Sequence, residues 1–284
     1  MFGPLHALHA NPLLRKVALP LLRSLNPGDI TLRHHYTGAP VRLHSFRHKG
    51  YWFHGRRREQ ETMEFFRRLL APGDCVIEVG GHIGYISLYF ADLVGPAGRV
   101  MVFEPGSNNI PYIRQNVASI QQIDLKEVAV SDQDGIASFF EEELTGQNNS
   151  LHADYDVFQE NRHRAFASEE YSKRRVETIR LDTLLSGEGL TPDLIKIDIE
   201  GAELMALKGA RETLSRACPV VMVEVTRQKA EVFAFFEGLG YQLFNDTGVR
   251  LDRPDAMDFN VCALHPEKHV EKLDQLSWNR AQAA

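Results

Sequence analysis

The chain has 284 residues, 43% hydrophobic, 25% charged and 9% aromatic, with a formal net charge of -6. These ordinary globular proportions exclude a collagenous, coiled-coil or disordered protein. No apolar run approaches the roughly 20 residues that span a bilayer, and the cysteines Cys75, Cys218 and Cys262 are too few and scattered for a disulfide framework or a paired zinc site.

Residues 1–28 are Leu-rich and broken by Pro4, Pro12 and Pro20, which predicts short helical pieces. They lack the features of a secretion signal, and with the free thiols this predicts a cytoplasmic setting. Residues 1–70 carry 12 Lys and Arg against 4 Asp and Glu. Such a basic part is either a solvated face or a dock for an anionic ligand. Residues 30–54 read as two or three short strands, with His34, His35, His44, His48 and His54 lacking the spacing of a zinc site. A helix follows over Glu59–Leu70, closed by Ala71-Pro72-Gly73-Asp74.

From Cys75 the pattern alternates. Strands are predicted at Cys75–Val79, Arg99–Glu104, Leu125–Val130, Ile136–Glu141, Arg175–Leu181, Leu194–Ile199, Val220–Val225, Tyr241–Asn245 and Phe259–Leu264. Helices are predicted at Tyr85–Leu93, Ser107–Ala118, Ala202–Ser215 and Lys229–Leu239. Residues 142–173 are polar and irregular and read as an insertion or lid bordering the substrate pocket. The expected organisation is an N-terminal extension over 1–58 with helices and small strands, a main domain over 59–270, and a tail over 271–284. Alternating Val/Ile-rich strands and helices predict an α/β fold, a Rossmann-like doubly wound, mostly parallel sheet.

Ligands of such sheets bind beyond the carboxyl ends of the strands. Val76-Ile77-Glu78-Val79-Gly80-Gly81-His82-Ile83-Gly84 is a strand, a glycine turn and a helix start. A dinucleotide site prefers G-x-G-x-x-G, but Val79 replaces the first glycine. Glu78, read as projecting into the turn, would repel a pyrophosphate. S-adenosylmethionine, with its sulfonium and ammonium groups, suits Glu78 better. Gly80, Gly81 and Gly84 then allow close backbone approach, Glu104 accepts from the ribose hydroxyls, and Asp132 either meets the adenine amino group or is a plain turn residue.

Leu194-Ile195-Lys196-Ile197-Asp198-Ile199-Glu200-Gly201-Ala202-Glu203 places three charged residues at the end of an apolar strand. Asp198, Glu200 and His82, in that order, are candidates for the base of a proton transfer. Glu203 reads as a charge at a helix start. Asp198, Glu224 and Asp246, read at three neighbouring strand ends, offer oxygen ligands for a divalent metal, which is not expected.

These pieces resemble the FkbM family of S-adenosylmethionine-dependent methyltransferases. The resemblance rests on Ile77–Tyr85, Phe103-Glu104-Pro105, Val128–Asp132, Thr178–Asp182 and, most specifically, Leu194–Glu203 with Leu207-Lys208-Gly209-Ala210. It covers about Glu59 to Leu264. It implies the seven-stranded sheet of class I methyltransferases and O-methylation of a hydroxyl on a sugar, glycan or natural-product acceptor. The chain has Gly81-His82 where the family usually has Ala-Asn. A nicotinamide-dependent oxidoreductase and a non-catalytic anion- or glycan-binding module are the competing readings.

Overall fold

The structure, a computed structural model, describes residues 27–142, 147, 149–151, 172–257 and 259–274. The helical pieces expected before residue 27, most of the insertion over 142–173 and the end of the tail lie outside the described residues. The chain divides into two compact units, Met1–Arg58 and Glu59–Ala284.

In the first unit β1 (Asp29–Arg33) and β2 (Pro40–His44) form an antiparallel pair, from Asp29 opposite His44 to Arg33 opposite Pro40. Buried Val41 and Leu43 alternate along β2. The His34 ring supports the connection, its Nδ1 accepting from the N–H groups of Tyr36 and Thr37 at 3.2 and 3.1 Å. Two strands form over the stretch read as two or three, and its end is a helix, α1 (Lys49–His54). Side-chain-to-backbone bonds favour this reversal: His48 Nδ1 accepts from the His44 N–H, and the Trp52 indole N–H donates to the Ser45 carbonyl at 2.7 Å. The aromatic run follows this local geometry rather than a strand's alternation.

The second unit opens with α2 (Gln60–Leu69), which buries Met63, Phe65, Phe66 and Leu69. The doubly wound sheet then forms from β3 (Cys75–Val79), β4 (Arg99–Phe103), β5 (Ile123–Lys126), β9 (Leu194–Ile197), β10 (Val220–Glu224), β11 (Gln242–Asn245), β12 (Arg250–Leu251) and β13 (Asn260–Leu264). Its order is β12-β11-β13-β10-β9-β3-β4-β5. The strands from β10 to β5 are parallel, while β13 runs antiparallel to both β10 and β11. Seven strands match the expectation; the eighth, two-residue β12, caps the edge.

The helices are α3 (Tyr85–Val94), α4 (Ile110–Val117), α5 (Leu181–Glu188), α6 (Glu203–Gly209), α7 (Arg211–Ala217) and α8 (Lys229–Glu237). One sheet face packs Ile77, Met101, Ile195 and Val221 against Leu185, Leu207, Leu214 and Phe236. The alternate residues face the other way. On that side α2 and α3 lock together through the Phe66 and Phe90 rings, 4.7 Å apart, and the Tyr89 hydroxyl donates to the Met63 carbonyl. Each fully buried aliphatic or aromatic side chain stabilises the fold by about 1.5–3 kcal/mol.

Three boundaries differ from expectation. The strand expected over Leu125–Val130 is cut in two. β5 ends where the Lys126 carbonyl accepts from Glu104, and β6 (Ala129–Val130) joins β8 (Ser172–Ile179) and β7 (Gly135–Glu141) in a separate three-stranded sheet. Helix α5 occupies a stretch with no expected helix. It buries Leu181 and Leu185 and ends at Gly189 in the left-handed region. The single helix expected over Ala202–Ser215 breaks at Ala210, because the Asp182 carboxylate accepts from the N–H groups of Glu212 and Thr213 and starts α7 afresh. Among the described residues no helix is long and apolar enough to cross a membrane.

The buried Tyr241 hydroxyl lies 3.2 Å from the Leu214 carbonyl and 3.1 Å from that of Pro219. Tyr241→Phe should cost about 1–2 kcal/mol by leaving buried carbonyls under-satisfied. Urea denaturation reads this; unchanged stability would contradict it.

Candidate active site

The parallel register arranges the candidate residues in two rows. In the first, Val102 pairs with Glu78, Glu78 with Lys196, and Lys196 with Met222. Two residues further along each strand come Glu104, Gly80, Asp198 and Glu224, the last paired with Asn260 of β13. Side chains two apart share a face, so this second row lies at the carboxyl edge of the sheet.

The glycine turn is tight against the protein itself. The N–H groups of Gly80 and Gly81 both donate to the Phe103 carbonyl at 3.0 Å. Gly80 has φ 94°, and a Cβ there would lie 1.9 Å from the Asp198 carbonyl oxygen. Only glycine fits both conditions. A Cβ on Gly81 would meet Val102 at 2.4 Å, and Gly84 packs on Ile113 and Val117. These glycines were expected to make room for a ligand; the contacts show them making room for β4, α4 and the segment after β9.

Glu78 does not project into the turn. Its position in β3 aims it at α3, where it is 1% exposed and its Oε2 accepts from the Ser87 hydroxyl at 2.5 Å. Its Oε1 has no hydrogen bond, and the nearest cation is the Lys196 Nζ at 3.9 Å. Burial, only partly offset by Lys196 and Ser87, pushes its pKa up to about 7. Glu104 is also buried. Its Oε2 accepts from the His82 N–H at 2.7 Å, and its Oε1 accepts from the Gly106 N–H at 2.8 Å and the Asn109 amide at 3.2 Å. Burial outweighs these bonds and raises it to about 7. His82 meets Glu104 through its backbone N–H, its own backbone standing at φ 48°.

Asp198 follows β9, and its N–H donates to the Val79 carbonyl at 3.0 Å. Its side chain is 32% exposed, and its Oδ2 accepts from Lys196 Nζ at 3.1 Å. Glu200 has φ 54°, and its carbonyl accepts from the Ser150 hydroxyl at 2.7 Å. Glu203 serves the start of α6: its carboxylate accepts from the Gly201 N–H at 2.7 Å, and burial raises it to about 7. Glu224, absent from the expected bases, joins Asp198 and Glu200 at this edge. The Asp198 charge, then burial, hold its carboxyl well above the usual range. Its place in the sequence, at the end of an apolar strand, was the available signal.

Asp132 is placed outside the main sheet. The cut in the third strand leaves it beyond β6, where it accepts from Ser131 at 3.3 Å beside Gly209. Asp246 follows β11, and β13 intervenes between β10 and β11. Asp198, Glu224 and Asp246 therefore do not stand at three adjacent strand ends. Among the described residues no group of three or more His, Cys, Asp or Glu is placed to hold a metal ion.

The described part of the insertion reaches this edge. Ser150 forms a two-bond bridge with Phe140, while the Asn149 amide donates to Asn108 Oδ1 and accepts from the Glu142 N–H, both at 2.8 Å. With Ser150 bound to Glu200, these two residues link the loop after β4 to the turn after β9.

A doubly wound sheet whose carboxyl edge carries a glycine turn flanked by buried acids defines a Rossmann-like fold. The chain belongs to the family of methyltransferase FkbM domains, whose model matches residues 78–243, more than half of its length. It is similar to the 2-O-methyltransferase NoeI of Sinorhizobium fredii (strain NBRC 101917 / NGR234), with 28% identity over 173 residues, 57% of this chain and 69% of that one. Among solved structures it is similar to methyltransferase FkbM from Methylobacillus flagellatus KT, with 16% identity and a TM-score of 0.44. That match covers 71% of this chain and 50% of the other, so the chain spans half of that relative's length. Precorrin-6y C5,15-methyltransferase from Geobacter metallireducens GS-15 matches 73% of this chain and 88% of its own at 13% identity and a TM-score of 0.41.

Glu78, Glu104 and Glu203 have folded pKa values of about 7, above an unfolded value of about 4.3. The fold therefore favours their protonated forms. Their contribution is full below the unfolded pKa and is lost as pH rises through 7. These three groups should raise stability by about 2 kcal/mol as pH falls from about 8 to about 6.5, and Glu224 adds in the same direction. Urea denaturation at both values tests this. A flat or opposite trend would contradict it.

Proposed function

We propose that the chain is an S-adenosylmethionine-dependent O-methyltransferase acting on a hydroxyl of a sugar, glycan or natural-product acceptor. Family membership supports methyl transfer, and the name of the Sinorhizobium relative favours oxygen as the site. The observation that carries the donor assignment is the pair of buried carboxyls, Glu78 and Glu104, at the ends of adjacent strands on either side of the glycine turn. Glu78 Oε1, buried and lacking a hydrogen bond, suits a cationic ligand. A pyrophosphate beside it would add like charge.

The residues present fit this donor. Glu78 would hold its cationic end and Glu104 its ribose hydroxyls, with the turn over Gly80, Gly81 and Gly84 shaping the crevice. The donor supplies, when bound, a methyl group carried on a positively charged sulfur. The chain's part is to place the acceptor oxygen in line and to take its proton. Asp198 fits the second task best: it is partly exposed, stands at the middle of the edge row, and has one oxygen held by Lys196. Glu224, held protonated at neutral pH by the Asp198 charge and burial, is not suited to that task. Glu200 and His82 are the next candidates. Asn149 and Ser150 would border the acceptor side.

Glu104→Ala should weaken adenosylmethionine binding tenfold or more, about 1.4 kcal/mol. Isothermal titration reads this, and unchanged affinity would remove Glu104 from the site. Tight binding of NAD with none of adenosylmethionine would replace the whole reading by the oxidoreductase. Asp198→Asn should still bind the donor while losing methyl transfer; full turnover in that variant would move the base elsewhere.

A further inference from the structure

Lys196 belongs to none of the roles assigned above, yet it touches two of them. Its side chain is 7% exposed, and its Nζ stands 3.1 Å from Asp198 Oδ2 and 3.9 Å from Glu78 Oε1. A buried ammonium is costly unless paired. Burial disfavours its charge, but Asp198, then Glu78, then Glu59 at the start of α2 more than compensate and hold it protonated. The sharing is unequal: Asp198 receives the hydrogen bond, whereas Glu78 Oε1 receives none. The charged groups acting on Glu78 are Lys196, Asp198 and Glu104, and Ser87 binds its other oxygen.

We propose that Lys196 is a positioning residue that couples the two ends of the crevice, its single charge divided between Glu78 at the donor end and Asp198 at the reaction end. The inference rests on the reading above, in which a cationic donor docks at Glu78. Before docking, Lys196 must serve both carboxyls, and Glu78 holds a proton part of the time. A cation at Glu78 displaces that proton and takes over the compensation there. The lysine's charge then falls to Asp198, whose Oδ2 it already holds at 3.1 Å. Donor binding thereby prepares the base.

The test counts protons released on adenosylmethionine binding, by isothermal titration near neutral pH in buffers of different ionisation enthalpy. The wild-type chain should release a fraction of a proton. Lys196→Met leaves the carboxyls without their cation, so the free protein holds more proton and release should rise toward about one per donor. Lys196→Arg should restore the wild-type count. Asp198→Asn gives Lys196 wholly to Glu78, so release should fall toward zero. This opposite arm stands even where Lys196→Met fails to fold. Wild-type proton counts in Lys196→Met or Asp198→Asn, with binding retained, would overturn the coupling while leaving the donor assignment intact. No binding of adenosylmethionine to the wild-type chain would instead overturn the functional reading, and the coupling with it.

Discussion

The site depends on one close approach. Where Gly80 would carry a Cβ, the backbone carbonyl of Asp198 already lies. The end of β3 and the segment leaving β9 are thereby pressed together, and the Asp198 N–H closes the seam on the Val79 carbonyl. Any side chain at Gly80 would force these two segments apart. The donor motif and the reaction end, 118 residues apart by number, meet because a glycine lets them.

That seam also sets the electrostatics. Six carboxyl groups, Glu59, Glu78, Glu104, Asp198, Glu200 and Glu224, act on one another or on Lys196 around the carboxyl edge. A low-dielectric edge strengthens each of these interactions and penalises an uncompensated charge. The structure answers with partial protonation: Glu78 and Glu224 rise while Lys196 stays charged. On the proposed reading, this edge would take a cation in preference to a phosphate.

Much of this was legible in the residues because parallel strands buried on both faces read as continuous Val and Ile runs. Cys75–Val79 and Lys229–Glu237 lie where periodicity puts them. What escaped was set by contacts distant in sequence. The break at Ala210 comes from Asp182, 28 positions earlier, capping a new helix. The division of the third strand comes from β8 recruiting Ala129 and Val130. The helix over Lys49–His54 lies in a stretch that reads as short strands. At the site, the residue types were visible but their directions were not. Glu78 reads as projecting into the turn, whereas the structure buries it with one oxygen on Ser87 and the other without a hydrogen bond. Asp132, readable as an adenine contact or as a turn residue, stands beyond β6, where the chain has left the main sheet. Glu224 and Lys196 gained their meaning only from the row that the register makes.

The most direct measurement of the central claim is a crystal structure with adenosylhomocysteine. The account requires its ribose against Glu104 and its amino-acid end within reach of Glu78 Oε1. Nucleoside density lying away from both carboxyls, or a crevice that stays empty at saturating ligand, would contradict it.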